Sequence, residues 1–429
     1  MLKPALREVM PGLTRTLTHW GLNLNFVDGS AFDSRITFTR LLSNATRTNA
    51  SGLLEVVAAD TPRIDYDPVT LACKGLLIEE GRTNSISNNT AVGAVAGTPG
   101  TLPTSWQKAE AASLTFNVVG SGIDSGVDYV DIRLSGTASA SSTNAIQFSQ
   151  NSQISAGNGQ AWTNSAYLKI VAGSTSGVNS IKLAWEERSG AFLASQASPA
   201  LTIATTGSFS TCRQSHSATN ANASTTFVKP IVQFTPISGQ VIDMTIRIGL
   251  PQMELGAFAT SPIPTTTTSL TRSAELASMT GTNFSSWYNQ TEGTFVATSY
   301  YQGSSGAYGY SYGASNGTSS NLIGASINNS TLANRLVVID GGASQVNASS
   351  GATTIGAKNT TSCGYKLNDT AFYQNNALVL ADTACTIPTV SQLSIGASGG
   401  SQNMACCHIT SLSYWPVKLS NTELQLLSR

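Results

Sequence analysis

Apolar and polar residues alternate along most of this chain with a period of two, as they do in strands buried on one face. The pattern is cleanest in VIDMTIRIG (241–249), where Ile242, Met244, Ile246 and Ile248 alternate with Asp243, Thr245 and Arg247. It also predicts strands over 22–26, 35–41, 114–119, 129–136, 162–171, 181–188 and 227–234. RIDYDPVT (63–70) and CKGLLIEE (73–80) flank the turn signal Asp67-Pro68 and predict a hairpin. Beyond SPIPTTTTSLTR (261–272), strands are predicted over 293–301, 308–313, 335–340, 363–368, 377–382 and 408–416. Two helices are expected. One is a short start ahead of residue 22. The other is LSNTELQLLS (419–428), where Ser420 and Glu423 form a capping box and Leu419, Leu424 and Leu427 face inward. The fold class expected is mainly β: two β-sandwich (jelly-roll) domains, 91–262 and 271–429, after an N-terminal module, 1–90.

Composition narrows the partners. The 429 residues carry 23 Lys+Arg against 23 Asp+Glu, only 11% charged, where about 25% is usual. Phosphate backbones and anionic lipid surfaces call for a concentrated basic face, so no nucleic acid is expected as a partner. The start MLKPALREVMPGLTRTL lacks the apolar run of a secretory signal, and no stretch reaches the roughly 18 apolar residues of a membrane span. Synthesis in the cytoplasm without membrane insertion is therefore expected. Six cysteines include no CxxC pair. They read as buried thiols, with a Cys363–Cys385 bridge as the alternative.

Three runs carry a resemblance. FTRLLSNATRTNASGLLEVVAADTPRIDYDPVTLACKGLLIEEGRTN (38–84) resembles a module near the start of many tailed-bacteriophage virion proteins. GLPQMELGAFATSPIPTTTTSLTRSAE (249–275) is similar to the run that closes the following jelly-roll, carbohydrate-binding-module-like region in such proteins. HITSLSYWPVKLSNTELQLLS (408–428) resembles the last strand and helix of concanavalin-A-like (laminin-G-like) domains of phage fibres. The resemblance implies a structural virion protein, made in the bacterial host, with residues 1–90 as its attachment module. Its expected partners are other capsid or tail proteins, copies of itself in a homotrimer, and a host surface glycan. A decoration protein that binds no glycan is the alternative, and a polysaccharide depolymerase is the least favoured. Deleting 1–90 should then leave a soluble protein that no longer joins particles.

Catalytic signals are absent. Glu79-Glu80 and Glu186-Glu187 are neighbours in sequence, so on strands they point to opposite faces and cannot flank one glycosidic bond. His19, His216 and His408 are the only histidines, and no GxSxG, GxxxxGK[ST] or GxGxxG accompanies them. His408 reads as an edge or satisfied core residue. No cofactor is expected. Calcium is the metal such folds accept, with Asp340, Asp369 and Asp382 as candidate oxygen ligands. For a glycan, stacked aromatics are needed. Tyr308, Tyr310 and Tyr312, spaced by two, are expected on one strand face; Tyr300, which precedes them, and Trp162 of the 91–262 domain are further candidates. The competing reading of that stripe is core or a subunit contact.

Overall fold

The computed structural model describes residues 19–42, 44–151, 153–400 and 402–429. The short helix expected ahead of residue 22 falls outside them.

The described chain is mainly β, as the alternation predicts. Each period-two segment named above contains or overlaps a strand. One sandwich is built from two large sheets. The first runs in the order Ala377–Asp382, Thr370–Gln374, Lys358–Lys366, Glu292–Gly303, Cys406–Trp415, Cys73–Ile78, Arg63–Tyr66, and Leu22–Asn25 also pairs with Cys406–Trp415. The second runs Thr37–Thr39, Leu276–Thr280, Gln392–Ile395, Tyr308–Ser315, Leu322–Asn328, Ala333–Asp340, Ala343–Ala352. Between them lies a core that includes Leu24, Leu76, Ile78, Phe295, Ile409 and Leu412 from one sheet and Met279, Tyr312, Ile323, Leu336 and Leu393 from the other. The helix Asn421–Leu427 has its capping box, and Leu424 packs with Leu419 and Trp415 on the outside of the first sheet.

Residues 1–90 were expected to form a separate module. Four of their strands, Leu22–Asn25, Thr37–Thr39, Arg63–Tyr66 and Cys73–Ile78, instead lie in the same two sheets as those of 271–429. The predicted hairpin exists, with Asp65 opposite Gly75 and the Asp67 carboxylate accepting from the amides of Val69 and Thr70. Its second strand is hydrogen-bonded to the C-terminal strand, Leu77 opposite His408. Several charges of this segment are turned inward and tie it to the rest of the chain. Arg63 bonds Glu275 and Glu79, Arg40 reaches Glu275 Oε1 at 2.8 Å, and Arg272 reaches Glu79 Oε2 at 3.1 Å. All five side chains are buried. Burial alone would raise the Glu79 carboxyl, but Arg272 and Arg63 outweigh it and hold it far below the usual range.

The jelly-roll region is an insertion in this sandwich. The chain leaves through Arg82–Asn84 and returns through Leu270–Arg272, and these two short strands pair with each other. Between them are a five-stranded sheet (Arg213–Thr219, Ala161–Ser174, Val241–Leu255, Val127–Thr137, Thr115–Asp124) and a six-stranded sheet around Phe227–Pro236. Their core includes Ile242, Met244, Ile246 and Ile248, together with Trp106 and Trp185. The Pro/Thr run is fixed rather than free: Ile263 and Thr265 bond Asn84 and Asn89.

A second hairpin, of strands Ala45–Thr48 and Leu54–Val57, joins the two sandwiches. Leu54 packs with Val127, Phe209 and Leu250, and its amide donates to Ser125 O at 3.0 Å. Gly126 makes this approach feasible: at φ +81°, a Cβ there would sit 1.9 Å from Leu54 O.

Candidate functional site

The cross-strand row Arg63, Leu77, His408, Tyr300 spans four neighbouring strands of the first sheet. Paired residues share a face, and Asp65, two on from Arg63, shares it too. The alternate residues Ile64, Leu76, Cys407 and Ile409 line or flank the core, so this row faces outward. It faces the jelly-roll sheet rather than open solvent. There Tyr167 and Arg213 are cross-strand partners. Between the two faces is a cleft of about 240 Å³, lined as well by the hairpin residues Thr46, Arg47 and Thr48 and by the link 259–262. All three parts of the chain therefore contribute walls.

His408 Nε2 lies 2.8 Å from Asp65 Oδ2. Burial pushes the imidazole below its ordinary value, and Lys74 acts the same way, against Asp65 and Glu79. The ring is therefore neutral at pH 7, Nε2–H donates to Asp65, and Nδ1 is an acceptor. That Nδ1 is buried with no partner among the described residues. Asp65 also accepts from Thr48 N at 2.7 Å, and Lys74 Nζ is 3.6 Å away. Burial would raise the Asp65 carboxyl, but His408, Lys74 and Thr48 together hold it below the usual range. The two acids lining the cleft, Asp65 and Glu79, are thus both held ionised. A general acid for glycoside cleavage needs the opposite shift.

The proton balance has a measurable consequence. A histidine that binds its proton less tightly when folded stabilises the fold fully above its unfolded value, near 6.5, and less as the pH falls below it. We expect the thermal midpoint to fall between pH 7 and pH 5, and to fall less in His408→Gln. His216 shifts in the same direction, so the difference between the two proteins is the readout. Equal slopes would remove His408 as the responsible group.

The expected aromatic stripe is not a stripe. A β-bulge between Tyr310 and Tyr312 shifts the register and sends them to opposite faces. Tyr312 is buried against Phe295 at 4.8 Å between ring centroids. Tyr310 packs with Leu322 and Val337 on the other face. Tyr308 is half-buried under the Arg335 guanidinium, 3.9 Å from its ring centre. Trp162 belongs to the jelly-roll core. Of the five candidates only Tyr300 stands beside the cleft, as the cross-strand neighbour of His408. The acids proposed for calcium are dispersed: Asp340 accepts from Thr386, Asp369 pairs with Lys418 and Asp382 caps Ala384 N. Among the described residues no three His, Cys, Asp or Glu side chains gather as a metal site. Cys363 and Cys385 are buried free thiols, and burial pushes Cys363 up to about 12. Glu186 and Glu187 diverge as expected, Glu186 to Arg188 and Glu187 to the amides of Ala221 and Asn222.

A second hollow of about 360 Å³ lies between Asn23–Asp33 and the hairpin residues Ile64, Tyr66 and Cys73. Its acids are engaged locally, Asp28 by Ser30 and Asp33 by Arg35.

No family model matches this chain, and no curated protein does. Some solved structures are similar over parts of it. The NanB sialidase from Streptococcus pneumoniae is 16% identical over 35% of this chain and 26% of its own, with a TM-score of 0.29. The Ruminococcus gnavus IT-sialidase CBM40 bound to α2,6 sialyllactose is 17% identical over 33% of this chain and 85% of its own, at 0.28. Trypanosoma rangeli sialidase is 10% identical over 79% of this chain and 56% of its own, at 0.29. This chain thus spans about a quarter of the length of the NanB sialidase. Scores at this level do not define a common fold.

Proposed function

We propose that this chain is a non-enzymatic, glycan-binding β-sandwich protein carried on a phage particle as a tail or head fibre. The observation that carries the binding reading is the cleft between the two sandwiches. It is lined by His408, whose Nδ1 is buried without a partner among the described residues, by the cations Lys74 and Arg213, by Thr and Ser hydroxyls and by Tyr167, with Tyr300 the cross-strand neighbour of His408. Sugars use such a mixture: ring faces for the apolar side and fixed donors and acceptors for the hydroxyls. Its volume lies just below the roughly 300–1,000 Å³ of sites for drug-sized ligands, which suits one sugar unit or a chain end. Both acids being held ionised supports binding over cleavage. The particle-borne reading is supported by the sequence runs 38–84, 249–275 and 408–428.

A glycan array probed with the full chain tests the binding. Tyr300 is half-buried and Lys74 half-exposed, so Tyr300→Ala with Lys74→Ala should keep the fold. Binding at least tenfold weaker in that variant is expected. A blank array with the intact protein would leave the decoration reading standing. Imaging the virion at a resolution that traces this chain tests the other half: projecting fibres with the cleft open support it, and a chain laid along the wall with the cleft covered defeats it.

A further inference from the structure

We infer that the ligand of this cleft is an anionic saccharide, with one acidic group seated on Arg213. The inference rests on the glycan-binding reading above and specifies the class of sugar. It follows from which charges in the cleft are already answered. Arg47 is paired with Glu55 at 2.7 Å. Glu79 is consumed by Arg63, Arg272 and Ser261. Asp65 is consumed by His408 and the Thr48 amide, with Lys74 at 3.6 Å. Arg213 has no such answer. Its Nη2 donates to Ser165 Oγ at 3.0 Å, and its Nε is buried with no partner among the described residues. No carboxylate reaches it within ion-pair distance among the described residues.

An arginine is a directional group. Its planar fork matches a carboxylate or phosphate through two parallel hydrogen bonds. A buried Nε–H without an acceptor costs free energy until something occupies it. The neighbouring phenol of Tyr167 is buried. Burial raises it, Asp65 does so further, and Arg213 opposes them; it stays neutral and is a donor for the same acidic group. The unpaired His408 Nδ1 would accept from a sugar hydroxyl on the opposite wall. A neutral sugar would satisfy the histidine and leave Arg213 unanswered.

The test is an array carrying carboxylate-bearing, phosphate-bearing and neutral glycans, probed with the full chain, Arg213→Gln and Arg213→Lys. The expected bound set is acidic. It should be lost at least tenfold in Arg213→Gln, weakened less in Arg213→Lys, which keeps the charge but not the two parallel bonds, and weakened by raising NaCl from 50 to 500 mM. The carboxylate and phosphate arms tell which acid is recognised. A bound set of neutral glycans, or acidic binding unchanged in Arg213→Gln, overturns the inference and leaves the glycan-binding reading in place. No binding by the intact chain overturns both. Thermal melting of the variants separates a lost contact from a lost fold.

Discussion

Glu275→Ala is expected to lower the thermal midpoint by roughly 10 °C. Glu275 takes bonds from Arg40 and Arg63 and from the amide of Glu79. Its removal leaves three buried guanidinium groups with Glu79 as their one remaining carboxylate partner in the network. Stripping one member from a buried ion pair costs about 3–5 kcal/mol, because the survivor stays desolvated and unpaired. At about 2–4 °C per kcal/mol for a large domain, that gives the figure above. The cost is a difference measurement and does not make the network a source of stability, since well-packed apolar replacements of such clusters are often neutral. A calorimetric shift below about 2 °C would mean the guanidinium groups find water or other partners, and this ion-pair network would not be what ties 1–90 to the rest.

Deleting residues 1–90 should give an insoluble chain. The deletion removes Leu22–Asn25, Arg63–Tyr66 and Cys73–Ile78 from the first sheet and Thr37–Thr39 from the second. It uncovers Ile409 and Leu412 in the core and one edge of the strand Cys406–Trp415. A long bare edge beside exposed apolar residues is an aggregation template. Soluble yield and size-exclusion profile decide the matter. A monodisperse product would show that this segment is separable after all, as the resemblance of its run 38–84 implied.

The strands were legible because burial on one face writes itself at period two, and VIDMTIRIG is the plain case. The terminal helix was legible because a capping box is local: Ser420 and Glu423 are three residues apart, and both bonds form. What failed is what depends on distance or on a single inserted residue. YGYSYG carries a regular alternation, yet one bulge turns Tyr312 into the core, and small neighbours such as Gly309 and Gly313 gave no sign of where it falls. The inward charges could not be read either. Arg63 and Glu275 meet across more than 200 positions, and a charge-rich segment looks the same whether its charges meet solvent or one another. The cleft was missed for the same reason. Its residues come from Thr46 to His408, and only the insertion of one sandwich into another brings them together. His408 was read as a satisfied residue, and half of that is right: Nε2 is satisfied and Nδ1 is not.

The nesting also sets a timetable for synthesis. Leu22 pairs with Tyr414, about 390 positions later. At about 5–20 residues per second, the first strands wait roughly 20–80 s for the strand that completes their sheet. The inserted jelly-roll region has all its own strands long before then and can form while the outer sandwich is still incomplete. During that interval the apolar face of Cys73–Ile78 lacks its neighbour. A ribosome that pauses late, or a chain truncated before residue 406, leaves a finished inner body attached to an unfinished, sticky outer one. Such a product is a natural client for chaperones, and the last strand to emerge decides whether the molecule is saved.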